Sequence, residues 1–251
     1  MTIAARGQTD VGRKRDHNED SYLVDEDLGL FIVADGMGGH AGGGTASRLA
    51  VETIQARMRV AREAEPELFT TPAPLEESPL REVLREAVEG ACQSIYQAAQ
   101  GDPALAGMGT TVTAAVVAGQ NAFIAHVGDS RCYVVRRGRI YQVSEDHSLV
   151  NEQLKAGAIT LDEARHSRFK NIITRSVGFE ADVAVDMMGL EVESGDRLVI
   201  CCDGLSNLVD DQEILDVVSA APLETAPERL VDLANERGGD DNITVIVVHV
   251  G

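Results

Sequence analysis

Four short stretches of the sequence put aspartate at the edge of an apolar run: FIVADG with Asp35, FIAHVGDS with Asp129, LVICCDG with Asp203, and RGGDDN, whose Asp240 and Asp241 lead into NITVIVV. A carboxylate at the mouth of a strand is partly desolvated, and leaving it without a positive partner is costly. One Asp-Gly alone reads as a turn, because both residues suit turn backbones. Four such places that converge require a cation among them. Carboxylate and backbone carbonyl oxygens are hard donors suited to Mg²⁺ or Mn²⁺, and the nearby Cys and His residues lack zinc-like spacing. A glycine after the aspartate leaves its own carbonyl free to turn toward an ion, since no Cβ obstructs the approach.

The stretch RKRDHNEDS adds Arg15 and, four and five residues on, Glu19 and Asp20. A guanidinium grips a phosphoryl group through two parallel hydrogen bonds, and the two acids can hold metal-bound waters. Taken alone, these residues are an ordinary charged surface. With the four aspartate stretches they complete a set: ligands for two ions and a clamp for an anion. The glycines of ADGMGGHAGG, residues 34–43, fit neither GxGxxG nor a P-loop with its lysine. They are read as letting the chain turn tightly at a metal.

Such groups need a scaffold. Residues 30–34, 109–118, 122–127, 131–136, 139–143, 197–202 and 242–250 are rich in Val, Ile, Thr and aromatics and are bounded by Gly-rich turns, so they read as strands. VVRRGRIYQV, residues 134–143, reads as a hairpin. Amphipathic stretches at 44–63 and 79–100 predict long helices, the second starting at Ser78-Pro79 and placing Leu80, Leu84, Ala87, Ala91 and Ile95 at helical spacing. Shorter helices are predicted at 148–156, 211–219 and 225–236. The Pro- and acid-rich segment EAEPELFTTPAPLEES between the two long helices is a surface connection. Strands gather in the middle, with helices before and after. That order favours an α+β sandwich of two largely antiparallel sheets over a doubly wound parallel sheet, in a single domain spanning 1–251.

Composition narrows the function classes. With 41 acidic against 22 basic residues the net charge is −19, which repels nucleic acid and anionic membrane alike. No run of about 18 apolar residues occurs and the N-terminus lacks a signal-peptide core, so a cytoplasmic protein is expected. Cys92, Cys132, Cys201 and Cys202 lack CxxC spacing and read as reduced core thiols.

In this order, RKRDHNEDS, VADGMGGH, GMGTTVTAAVV, AHVGDSRCYVVRRGRI, LVICCDGLSN and GGDDNITVIVV resemble the protein phosphatase 2C-like, metal-dependent Ser/Thr phosphatases, particularly their compact bacterial members. The resemblance runs from Gly7 to Val250. It implies a four-layer α/β/β/α sandwich with a binuclear Mn²⁺/Mg²⁺ centre at one end and possible room for a weaker third ion. It makes Asp35 the carboxylate that bridges both metals, Gly36 a ligand through its carbonyl, and Asp203 and Asp241 ligands of the other metal. Glu19 and Asp20 are similar to acids that act through metal-bound water, and Arg15 to the phosphate-binding arginine. Asp129 resembles the residue that, with Asp203, holds the third ion. Asn171 lies where some relatives supply that ion with a further oxygen. The polar, basic stretch 144–175 resembles the flap beside the active site.

The chemistry expected is direct hydrolysis of phosphoserine and phosphothreonine on proteins. Two divalent ions lower the pKa of a shared water and present hydroxide for in-line attack on phosphorus, while the ions and Arg15 neutralise charge on the phosphoryl oxygens. Met37 stands where many animal relatives have a histidine that serves as general acid, and a thioether cannot donate a proton. A metal-bound water is the preferred donor, ahead of His40. Phosphorylated proteins, with a Ser/Thr protein kinase and its substrates, are the expected partners of a monomeric enzyme. Two other readings compete: a catalytically silent module of the same fold that binds phosphoproteins, and a metal-dependent phosphodiesterase or nuclease. The complete carboxylate set argues against the first, and the acidity and motif order against the second.

Overall fold

The fold is that of a computed structural model, which describes residues 1–38, 42–70, 74–165 and 167–251. In chain order the strands are β1 (Ile3–Asp10), β2 (Ser21–Asp25), β3 (Leu30–Ala34), β4 (Gly36–Met37), β5 (Gly109–Thr110), β6 (Val112–Ala118), β7 (Asn121–Val127), β8 (Arg131–Arg136), β9 (Arg139–Gln142), β10 (Asp186–Glu191), β11 (Arg197–Cys201) and β12 (Ile243–Val250). The helices are α1 (Gly42–Ala64), α2 (Pro79–Gly101), α3 (Leu149–Lys155), α4 (Leu161–Arg165), α5 (Asp203–Ser206), α6 (Asp211–Ala220) and α7 (Ala226–Glu236).

Two five-stranded antiparallel sheets result, ordered β1-β12-β11-β8-β9 and β10-β7-β6-β3-β2. Because side chains alternate along a strand, each central strand feeds two separate cores. Phe31 and Val33 of β3 meet Ile200 of β11 and Ile246 and Val248 of β12 in the layer between the sheets. Leu30, Ile32 and Ala34 point the other way, against Ile54 of α1 and Leu84 and Ala91 of α2. On the far side, Val199, Cys201 and Val245 pack under Ile214 of α6 and Leu230 of α7. Helices cover both outer faces, giving the expected α/β/β/α order. Phe31 is fully buried in the central layer, so Phe31→Ala would cost about 3–5 kcal/mol.

The predicted hairpin is β8–β9, with Arg136 opposite Arg139 and both turn residues, Arg137 (φ 52°) and Gly138 (φ 73°), in the left-handed conformation that two-residue hairpin turns need. The stretch read as a single strand from 109 to 118 is two: β5 pairs with β4, and β6 joins the large sheet beside β3. Between them Thr111 is left free to bond the backbone at Asp35. The strands β1, β2 and β10 have no counterpart in the sequence reading. All three lie at sheet edges, where half of each strand faces solvent and the apolar pattern thins.

Candidate metal centre

Several chain segments end at one end of the sandwich, and specific contacts fix each one. Asp35 follows β3 directly. Its N–H donates to Thr111 Oγ1 (3.0 Å), and its carbonyl accepts from Thr111 N (2.8 Å) and Thr110 Oγ1 (2.9 Å). The backbone at Asp35 is therefore held by both neighbours of the β5–β6 break. At Gly36 a Cβ would lie 2.2 Å from Gly43 O and 2.5 Å from Glu19 O, so only glycine allows the start of α1 and the Glu19 loop to close around this point. Gly204 plays the same part opposite: a Cβ there would sit 1.9 Å from Asn242 O. That close approach sets Asp203, the first residue of α5, beside Asp241.

Asn242 ties the Arg15–Glu19 loop to this corner. Its Nδ2 donates to Val11 O (2.9 Å) and His17 O (3.0 Å), and its Oδ1 accepts from Glu19 N (2.8 Å). Thr244 Oγ1 donates to Asp20 Oδ2 (2.6 Å). Neither Asn242 nor Thr244 carries a sequence signal of its own, because ordinary loop and strand residues share their types. Among the described residues, donor atoms of Asp20, Asp35 and Cys202 lie within 4.8 Å of one another. Asp203 lies near enough to Asp35 for its charge to raise the Asp35 carboxyl. Arg15 Nη2 donates to Asp241 Oδ2 at 2.7 Å, with about half of the arginine side chain (52%) exposed.

The electrostatics are those of acids crowded away from water. Burial, then the charges of Asp20, Asp203, Asp129 and Asp241, pushes the Asp35 carboxyl well above the carboxylate range. Burial raises Asp20 to about 7 despite the hydrogen bond from Thr244. Asp129 rises to about 8 through burial and the charges of Asp203 and Asp146, and Asp203 is raised by burial and by Asp241. The Arg15 guanidinium is pushed up by its hydrogen bond to Asp241. Glu19 Oε1 and Asp20 Oδ1 are buried with no hydrogen-bond partner among the described residues. Unpartnered buried oxygens beside four raised carboxyls are an arrangement completed by divalent cations, and the all-oxygen donors fit Mg²⁺ or Mn²⁺.

Asp129 sits on the turn after β7, next to Gly128 (φ 113°), where a Cβ would lie 2.5 Å from Thr111 Cγ2. His147 clamps that turn: its N–H donates to Gly128 O (2.7 Å), its Nδ1 accepts from Gly128 N (3.0 Å), and its Nε2 meets Asp186 Oδ2 (3.0 Å). The sequence reading gave His147 no role beyond the basic flap, so this clamp was missed. Asp129 and Asp203 line a groove of about 1030 Å³ that runs between the 144–175 segment and α6, with Lys170, Ser206, Asp210 and Asp211 along its wall. Asn171 is exposed, whereas its neighbour Lys170 lines the groove and its charge steadies ionised Asp203. Met37 is half-buried in β4, and His40 lies outside the described residues. His126 is fully buried and hydrogen-bonded to Thr113.

Residues 8–241 match the family model described as protein phosphatase 2C. The chain is 39% identical over 248 residues to the serine/threonine phosphatase stp of Listeria welshimeri, covering 97% of this chain and 94% of that one. Its fold superposes on the serine/threonine phosphatase of S. agalactiae with a TM-score of 0.86 at 37% identity, over 99% of this chain and 100% of that one. A second solved structure, the catalytic domain of the serine/threonine protein phosphatase PstP in complex with two manganese ions, matches with a TM-score of 0.84 at 33% identity over 99% of each chain.

Proposed function

This chain belongs to the protein phosphatase 2C family, and from that premise we propose how its residues divide the work of a Mn²⁺- or Mg²⁺-dependent phosphatase. The enzyme hydrolyses phosphoserine and phosphothreonine on proteins. The observation that carries the residue assignment is the convergence of Asp20, Asp35, Asp129 and Asp203, desolvated and mutually repelling, with the charge of Asp241 beside them. Evolution keeps so unfavourable a cluster only where a cation offsets it.

When bound, two divalent ions supply a water acidified for attack on phosphorus and neutralise charge on the phosphoryl oxygens. Asp35, the Gly36 carbonyl, Asp203 and Asp241 would hold the two ions. Glu19 and Asp20 act through water, which accounts for their orphaned oxygens. Arg15 is half-exposed and already bonded to an anionic oxygen, so it can exchange Asp241 for a phosphoryl oxygen of the substrate. Asp129, with Asp203, would hold a third, weaker ion, and Asn171 is the candidate for a further oxygen ligand of that ion. Met37 cannot protonate the leaving alkoxide, and the bound ions would supply an acidic water for that role.

The physiological counterpart is a Ser/Thr protein kinase whose substrates the enzyme returns to the unphosphorylated form. Every proposed ligand comes from one chain, so a monomer suffices. The four cysteines are free and buried, which suits a reducing cytoplasm. No helix among the described residues is long and apolar enough to cross a membrane. The test is phosphate release from p-nitrophenyl phosphate and from a phosphothreonine peptide, with Mn²⁺ and with EDTA. Turnover should require Mn²⁺ and disappear in Asp203→Asn; turnover that persists in EDTA or in that variant would refute the assignment.

A further inference from the structure

Cys202 is fully buried, yet its sulfur does not sit among apolar side chains alone. Its neighbour Cys201 points into the layer under α6 and α7, so alternation along β11 sends Cys202 inward, toward the carboxylates. Its Sγ lies within 4.8 Å of donor oxygens of both Asp20 and Asp35. Thr244 N donates to Cys202 Sγ at 3.1 Å, and the thiol proton is directed at Asn242 O, 3.3 Å away. An N–H bonded to sulfur supports a thiolate ligand, and a thiol proton is what a metal replaces. Thr244 also orients the second donor, because its hydroxyl holds Asp20 Oδ2. That leaves Asp20 Oδ1 buried and without a hydrogen-bond partner, a free lone pair beside the sulfur.

We propose that Cys202, Asp20 and Asp35 form a capture site for a thiophilic divalent cation of the Zn²⁺ class, which takes Asp35 away from the oxygen-ligated ions and so silences the enzyme. The site consists of one thiolate, two carboxylates and a water, the donor number and open position of a four-coordinate zinc site. Tetrahedral bond lengths set donor separations of roughly 3.5 Å, so the three groups close on the ion by small side-chain rotations. Binding replaces the S–H bond with an S–metal bond and releases that proton to solvent, with no change of oxidation state. The hard donors Asp203, Asp241 and Gly36 O leave Mn²⁺ and Mg²⁺ their preference, while sulfur shifts the balance at Asp35 toward softer ions. The inhibitory consequence rests on Asp35 being a ligand of the catalytic ions; the capture site itself does not.

The metal-free full chain is titrated with Co²⁺ alone, as an optical stand-in for Zn²⁺. A thiolate-to-cobalt charge-transfer band should appear in the wild type and in Cys201→Ser, and be absent in Cys202→Ser. Zn²⁺ affinity, measured by competition with a chromophoric chelator, should fall about tenfold or more in Cys202→Ser while Mn²⁺ affinity changes by less than about threefold. A wild type without the band, or a band that survives Cys202→Ser, overturns the site. Should Cys202→Ser fail to fold, Asp20→Asn keeps the sulfur and removes one donor, and an unchanged Zn²⁺ affinity there overturns the proposal equally. Mn²⁺-dependent phosphate release in the same wild-type samples separates the two claims. A band without turnover keeps the capture site and refutes the phosphatase assignment, whereas turnover without a band does the reverse.

Discussion

Two populations of buried acid divide this molecule. At the far end of the sandwich Asp196 is only 2% exposed, yet Arg136 reaches it through Nε (2.9 Å) and Glu193 N donates to it (2.8 Å). Burial pushes its carboxyl up, but the guanidinium and the amide hold it below the usual range. Asp25 follows the same rule, with Arg59 and Gln55 as donors. At the metal end burial and the neighbouring acids shift Asp20, Asp35, Asp129 and Asp203 the opposite way. The chain supplies its own cation where an acid is structural. At the proposed metal site the chain supplies no such cation to Asp20, Asp35 or Asp129 among the described residues, which leaves the place for an ion from solution.

Neutralising an acid at each end should therefore act with opposite sign. Asp35→Asn removes the most repelled carboxylate, and it should abolish Mn²⁺ binding by calorimetry and lower kcat/KM at least about a thousandfold. The same variant, metal-free, should melt higher than the metal-free wild type above neutral pH, because a carboxyl whose ionisation burial and the neighbouring acids oppose is gone. A lower melting temperature would show that Asp35 is held by partners, as Asp196 is, and would collapse the contrast between the two ends.

The pH dependence of the metal-free protein is the next largest effect. A carboxyl whose folded pKa is raised keeps its proton in the folded state at pH values where the unfolded chain has released it. Its stabilising contribution is thus present at low pH and lost as pH rises, through about 7 for Asp20 and about 8 for Asp129. Stability measured by urea unfolding in EDTA should fall by about 2 kcal/mol or more between pH 5.5 and pH 8. Saturating Mn²⁺ should remove most of that slope, since the ion replaces the protons. An equal slope with and without Mn²⁺ would mean that these carboxyls do not face the ions.

Smaller again is the loss from the far end. Arg136→Ala leaves Asp196 buried with only the Glu193 amide for company, and should cost about 2 kcal/mol of unfolding free energy at pH 7. Mn²⁺ affinity should be unchanged, and a coupled loss of metal binding would show that the two ends are not independent.

How much of this could be read from the sequence follows from the same physics. Asp35, Asp203 and Asp241 were legible because each stands where a strongly apolar run stops, so the aspartate is conspicuous. The central strands were legible for a related reason: β3, β6, β11 and β12 are buried on both faces and read as unbroken apolar runs. Edge strands such as β1, with Arg6, Gln8 and Asp10 among its residues, carry too little apolar pattern to be told from loop. The residues that set the site in place were illegible as well. Asn242 bonds backbone and Thr244 a carboxylate more than two hundred residues away, and His147 bonds the Gly128 backbone 19 residues before it, so local pattern contains no trace of their partners. Cys202 was read as a core thiol, which its burial supports; its carboxylate neighbours come from two other strand ends and appear only on folding.

Arg15 is where the two populations meet, and it gives the finest test of the contrast. It pairs with Asp241 as Arg136 pairs with Asp196, but both partners remain partly open to water, so the pair contributes little to stability. An arginine bound so loosely to a metal-site acid is free to transfer to a phosphoryl group. Arg15→Ala should then raise KM about tenfold for a phosphothreonine peptide, with a smaller fall in kcat and a melting temperature close to the wild type. Arg15→Lys should recover only part of the KM, since an ammonium cannot make two parallel hydrogen bonds to the phosphoryl oxygens. A large loss of kcat at unchanged KM would instead make Arg15 a group that acts in the transition state alone. A loss of stability comparable to that of Arg136→Ala would return it to the structural population.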